Sequence, residues 1–296
     1  MAAVPDVEPD ERPQGRADLV ADLDHLGVRP GDTLIVHASM RAVGRLLGGP
    51  ATLLSALEDA VGVAGTIVAP AFTTYLADPS IWRRPPPPDD WGRIRRDTPA
   101  FDPQRHPAQR SLGVFPELLR TCGRAVRSAH PLYSFAAAGR LAATLCAPHP
   151  PDFALGCHGP LQRLHDAGGR VLLIGVGWDR CTLLHLAEHH VPYRGRRSYR
   201  SLAPSAAPQG TTAWNPTRQL VLHEGDFAEI GRRVEAASRP HPVIRWGTVG
   251  SAEAVLGEGR DLTLDAARLL MRFRDLSSAT RSEPYPQLRE EGMGRR

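Results

Sequence analysis

Between residues 175 and 190 the chain reads GVGWDRCTLLHLAEHH, so one turn-and-helix stretch carries Asp179, Thr182, His185, Glu188, His189 and His190. Three chemistries fit those types at that spacing. His185, Glu188 and His189 spell HxxEH, two zinc-binding histidines and a base on one helical face, which would make the chain a zinc hydrolase. No clear helical glutamate downstream completes that ligand set. A solvated polar face is the plain alternative, and it is the reading adopted for His189 and His190, since Val191-Pro192 must end the helix there. The third is acid–base catalysis. With Asp179 as N-cap, Thr182, His185 and Glu188 recur every three residues on one face. A histidine oriented by a carboxylate is the usual general base near neutral pH. Cys181, the other nucleophile in the stretch, falls off that face.

Such a helix needs a rigid edge to stand on. GRVLLIGVG (169–177) reads as a buried strand that feeds the helix through a glycine turn. DTLIVHAS (32–39) and GTIVAPAFT (65–73) are two more apolar runs, joined by a segment with helical apolar spacing. Strand, helix, strand is the repeating unit of an α/β sheet, and α/β sheets hold their sites at the carboxyl edge. Later stretches, RQLVLHEGDFAEIGRRVEAA and the run from Val243 to Phe273, add strand and helix signals without a new glycine-rich fingerprint. Residues 74–110 carry too many prolines and charges for regular elements, and a connection that long suits a lid over a site. Residues 1–15 and 281–296 read as flexible tails around one domain, 16–280.

Composition narrows the field. The 296 residues are 42% hydrophobic and 23% charged, an ordinary globular balance. All 36 basic residues are arginine, which excludes a Schiff-base lysine and a Walker A lysine. A net charge of +4, with arginines scattered among acids, gives no basic stripe for nucleic acid but is compatible with an anionic cofactor. No apolar run is long enough for a bilayer, and the acidic, Pro-rich N-terminus lacks a signal-peptide core. Cys122, Cys146, Cys157 and Cys181 show no metal spacing, so a reduced cytoplasmic protein is expected.

The segments VHASMRAVGRLLGGPATLLSALEDAVGVAGTIVAPAFT, FDP, RSAHPLYSFAAAG and LLIGVGWDRCTLLHLAEHHVPY, in that order, resemble the aminoglycoside 3-N-acetyltransferase family. The similarity runs from about residue 16 to 275 and is greatest to the branch that acetylates gentamicin and apramycin. It implies a single-domain layered α/β fold distinct from the GNAT acetyltransferases, with acetyl-CoA as donor and no metal. It further implies a small-molecule amine as acceptor, an aminoglycoside at its 3-amino group, and thereby antibiotic resistance. A biosynthetic N-acetyltransferase for another amine is the alternative. No nucleic acid or membrane is expected as partner, and a homodimer is possible. The motif D-x-x-T-x-L-H-x-A-E falls on Asp179, Thr182, His185 and Glu188, which makes His185 the base and Glu188 its orienting partner. His37, Ser39, Arg127, Ser128 and His130 fall where relatives line the acyl-CoA and substrate cleft, and Asp102 of FDP where the acceptor binds. Backbone N–H groups of the glycine turns or the Thr182 hydroxyl are expected to stabilise the oxyanion. A polycationic acceptor also needs carboxylates, and Asp89, Asp90 and Asp97 are expected to join Asp102, Asp179 and Glu188 in an acidic pocket.

Overall fold

The computed structural model describes residues 12–193, 195–208, 211–237 and 243–276. Seven strands form one sheet: β1 (Thr33–Ala38), β2 (Thr66–Pro70), β3 (Val126–Arg127), β4 (Phe135–Gly139), β5 (Arg170–Ile174), β8 (Ile244–Val249) and β9 (Ala252–Glu258). Their order is β3-β4-β2-β1-β5-β9-β8, and β6 (Ser198–Ala206) pairs with β7 (Thr212–Leu220) as a separate hairpin. The central β2, β1 and β5 run parallel, and the outer pairs are antiparallel.

β1, β2 and β5 are buried along their whole length because helices cover both faces, which is why they are apolar rather than alternating. On one face Leu34, Val36 and Ala38 meet α1 (Arg16–Leu26), α3 (Ala51–Val61) and α5 (Phe115–Thr121). On the other, Ile35, Val171 and Leu173 meet α6 (Ala142–Cys146), α7 (Pro160–Asp166), α8 (Leu183–His190), α9 (Phe227–Ala236) and α10 (Gly259–Leu276). Two further helices are α2 (Met40–Val43) and α4 (Pro88–Asp97). This is the layered single-domain α/β fold expected.

The chain leaves β1 for α3 on one face and β5 for α8 on the other. The carboxyl ends of these adjacent strands therefore bound a crevice, the place where open α/β sheets bind ligands. Gly175 makes the exit from β5 with a φ of 61°, and a Cβ there would overlap Ala42. Behind the turn, Trp178 packs on α9 so closely that Gly231 has no room for a side chain, and its indole N–H donates to Glu235.

Residues 74–110 differ from the sequence expectation in containing a regular helix, α4. Pro88 opens it in the position where a missing N–H costs nothing. Asp89 and Asp90 in its first turn and Arg95 and Arg96 in its last match the helix dipole. Arg95 holds the buried Asp78 carboxylate through Nε and Nη2 at 2.7 and 3.0 Å. Three bonds then tie the segment to the hairpin: Trp214 Nε1 to Arg95 O (2.9 Å), Thr212 Oγ1 to Thr98 O (3.1 Å) and Phe101 N to Pro204 O (3.3 Å). At the N-terminus, Gln14 exchanges backbone hydrogen bonds with Arg45 and Leu47, so residues 12–15 are anchored rather than a tail. The remainder of the expected tails, residues 1–11 and 281–296, lies outside the described residues.

Candidate active site

α8 begins after Thr182 and presents His185 and Glu188 one turn apart on its buried face. The His185 Nδ1–H donates to Glu188 Oε2 at 2.7 Å, and Nε2 lies 3.4 Å from Glu224 Oε1, so Nε2 becomes an acceptor once the ring is neutral. Burial pushes the imidazole down, but the hydrogen bonds and charges of Glu188 and Glu224 outweigh it and raise the pKa to about 9. Glu188 is fully buried. Burial alone would push its carboxyl up, yet His185 and then Arg274 hold it below the ordinary value. Its other oxygen accepts from Arg274 Nη1 (2.6 Å) and the His223 N–H (3.1 Å).

His37, on the β1 face beneath α8, accepts the Thr182 N–H at Nε2 (3.4 Å). Burial, then the neighbouring His185, pushes it down to about 3, so it stays neutral and supports α8 rather than moving protons. Asp179 does not cap α8. The chain makes a tight turn over Trp178–Arg180 to seat Trp178 against α9, and this leaves Asp179 exposed, paired with Arg180 at 3.2 Å. Cys181 is buried, with its thiol pushed up to about 12.

The other expected binding residues make hydrogen bonds within the fold. Ser39 lies at the β1 end and accepts the Ala42 N–H (3.4 Å), starting α2. Arg127 donates to Ser134 Oγ (3.0 Å), Pro103 O (3.1 Å), Ala71 O (2.5 Å) and His106 O. Ser128 Oγ accepts the Phe135 N–H and bonds His149 Nδ1, both at 2.8 Å. His130 Nδ1 accepts the Leu132 and Tyr133 N–H groups, and its Nε2–H donates to Pro151 O at 3.2 Å. Asp102 Oδ1 accepts the Gln104 and Arg105 N–H groups (2.8 and 3.2 Å), closing its own turn. For the hydrolase reading, Glu188 is tied to Arg274, and His189 Nδ1 donates to His185 O at 2.8 Å. Among the described residues no group of three His, Cys, Asp or Glu is arranged for a metal.

A cleft of about 1020 Å³ opens above His185. That volume is at the upper end for ligand sites. Residues 74–83 and 107–111 form one wall, and Tyr133, Tyr199 and Leu222 face them. Its charged lining is Arg83, Arg110, Glu224 and His185. None of Asp89, Asp90, Asp97, Asp102 or Asp179 is in that lining, so the carboxylates expected to form an acidic pocket do not line this cleft. Asp89, Asp90 and Asp97 lie on α4, which the Asp78–Arg95 pair fixes to the preceding turn and Trp214 to the hairpin.

Sequence reasoning missed Glu224 and Arg274. Glu224 lies in LHEGDF, an acidic turn directly after a strand, a readable signal. Arg274 had a subtler one: Leu262, Ala266 and Leu270 are buried on α10 at intervals of four, and Arg274 continues their row.

The family model for aminoglycoside 3-N-acetyltransferase matches residues 35–271, stopping short of Arg274. A prophage-derived aminoglycoside N(3')-acetyltransferase-like protein of Bacillus subtilis is 35% identical, covering 84% of this chain and 90% of that one. Aminoglycoside N(3)-acetyltransferase VIII of Streptomyces fradiae is 38% identical, covering 84% and 89%. Among solved structures, an AAC-IIIb binary complex with CoASH superposes with a TM-score of 0.79 at 37% identity, covering 90% of this chain and 99% of that one. No described helix is long and apolar enough to cross a membrane.

Proposed function

The chain belongs to the aminoglycoside 3-N-acetyltransferase family, and on that premise we propose that it moves the acetyl group of acetyl-CoA onto an aminoglycoside amine, inactivating the antibiotic. One observation carries the mechanism: His185 Nδ1–H is held by Glu188, so in the neutral ring it is Nε2 that accepts a proton at the cleft. The amine attacks the thioester carbonyl and its N–H proton passes to Nε2 as the C–N bond forms. The tetrahedral intermediate then collapses, the C–S bond breaks, and the thiolate takes a proton from the imidazolium. Glu188 supports the ring while it carries the proton, and Glu224 faces the attacking amine. Residues 74–110 act as the wall or lid that keeps both substrates in register, with positioning supplying much of the acceleration.

A second reading is favoured by the cleft lining. Arg83 and Arg110 outnumber the single carboxylate, Glu224, and at close range two guanidiniums repel a polycation. An amine acceptor with fewer positive charges, or one that also carries an acidic group, suits this surface. Release of CoA thiol, measured across gentamicin- and apramycin-type drugs and across amines bearing carboxylate or phosphate, decides between the readings. Turnover of the drugs supports resistance; turnover confined to the acidic amines replaces it with a biosynthetic role. No thiol release with any amine rejects both.

A further inference from the structure

Glu188 is a carboxylate with no access to water, and its partner is a histidine that must lose its charge in every turnover. Each time His185 is neutral, Glu188 needs another cation. Arg274 is that cation. It comes from the last turns of α10, far from α8 in the chain, and is itself only 5% exposed. Its fork is fully oriented. Nε and Nη2 hold the two oxygens of Asp226 at 2.9 Å each, Nη2 also donates to His223 O at 2.8 Å, and Nη1 meets Glu188 Oε1 at 2.6 Å. The guanidinium stacks over the Tyr193 ring, 4.5 Å from its centroid. Asp226 flanks α9 and Glu224 precedes it on the same turn, so one arginine joins α8, α10 and the turn that carries the second carboxylate facing His185.

Resting on the acetyltransferase reading, we propose that Arg274 is a positioning residue of the reaction. It fixes the Glu188 carboxylate against His185 Nδ1, keeps it ionised when the imidazole is neutral, and makes the end of α10 part of the acid–base site. Lysine could replace the charge but not the fork, because a single ammonium cannot match both carboxylates in plane. Among the described residues the titratable groups facing the pair are Arg274 from α10, Glu224 and Asp226 from the turn before α9, His37 from β1, His189 on α8 and Tyr193 beyond it, burial pushing both of these histidines down. Removing Arg274 therefore leaves Glu188 with His185 as its one cationic partner, and the pair holds its proton more tightly.

The test uses the full chain with ¹³C-labelled histidine, the His185 signal being assigned by its loss in His185→Ala. Arg274→Gln should move the His185 titration midpoint to higher pH and lower kcat by about tenfold or more, within the roughly 10²–10⁴ a general base supplies. KM for acetyl-CoA should stay near wild type. Arg274→Lys should hold the midpoint and recover part of kcat. A folded Arg274→Gln with unchanged midpoint and kcat overturns the proposal, because a residue that only packs α10 would lower the melting temperature and move neither. Should Arg274→Gln fail to fold, Arg274→Lys decides alone: reduced kcat at unchanged KM supports the role, and wild-type kcat rejects it. The titration needs no acceptor. A wild-type enzyme without thiol release would thus sink the acetyltransferase reading while the Arg274 result stands or falls separately.

Discussion

A pair of largely buried histidines and the buried His185 lie on the same face of the sheet and behave in opposite ways. His130 and His149, with rings 4.9 Å apart, occupy the region around β4. Each donates its Nε2–H to a backbone carbonyl, Pro151 O or Ala154 O, and accepts at Nδ1, from backbone N–H groups or the Ser128 hydroxyl. Among the described residues no carboxylate is hydrogen-bonded to either ring, and the charge of Asp152 does not offset the burial of His130. Burial pushes them down to about 4 and about 3, so they are neutral at any working pH. His185 is as deeply buried, but a carboxylate holds its Nδ1–H and another faces Nε2, and its pKa rises to about 9. Burial alone thus makes a histidine a structural amide-like group; burial beside carboxylates makes it a proton carrier. The tautomer differs accordingly, and only His185 offers Nε2 to the cleft.

The largest effect that separates the two regions is loss of catalysis. His185→Ala should lower the rate of CoA-thiol release by roughly 10²–10⁴ while acetyl-CoA still raises the melting temperature, because binding to the native state does not need the base. Glu188→Gln should cost less, since the amide keeps a hydrogen bond and loses only the charge. His149→Ala should do the reverse, lowering the melting temperature with kcat and both KM values kept. If His149→Ala were as damaging to kcat as His185→Ala, the contrast between the regions would be false.

How much of this was legible depends on how local the determinants are. The apolar β1, β2 and β5 and the Gly175 turn announce themselves in a few adjacent residues, and with them the sheet edge that carries α8. His185 and Glu188 lie three residues apart, so their meeting follows from helix geometry. Arg274 and Glu224 reach the same site across tens of residues of chain, and only tertiary packing brings them there. α4 was hidden because its support is external: none of its residues is buried, and Asp78 and Trp214 hold it. The assignment of Asp179 as N-cap failed because Trp178 seeks α9, and that requirement outweighs a favourable capping residue.

A smaller effect sharpens the role of the second carboxylate. As base, His185 must be neutral, so kcat/KM should climb with pH until it levels near the pKa of about 9. Glu224 contributes to that elevation by hydrogen bond and charge. Glu224→Gln removes a group that favours the imidazolium, so the folded pKa falls and the rising limb moves to lower pH. Relative to wild type, the variant should gain rate near pH 7 in the proton-transfer step and lose acceptor affinity. A pH–rate profile with one acceptor, read as kcat and KM separately, checks both. An unmoved limb would mean that Glu224 does not reach His185 in the working enzyme.

The smallest effect tests the structural region on its own terms, and it concerns a residue that the resemblance assigned to acyl-CoA. Ser128 Oγ satisfies the buried Phe135 N–H and the His149 Nδ1 at once. Ser128→Ala strands both, and an unsatisfied buried polar group costs about 1–3 kcal/mol. The expected outcome is a melting temperature lower by a few degrees, roughly 2–4 °C per kcal/mol for a domain of this size, with KM for acetyl-CoA unchanged. Alanine keeps the Cβ and removes one oxygen, so little repacking can mask the loss. Should KM for acetyl-CoA rise several-fold while the melting temperature holds, the Ser128 hydroxyl serves the co-substrate. The His130–His149 region would then be part of the binding surface rather than the inert counterpart of His185.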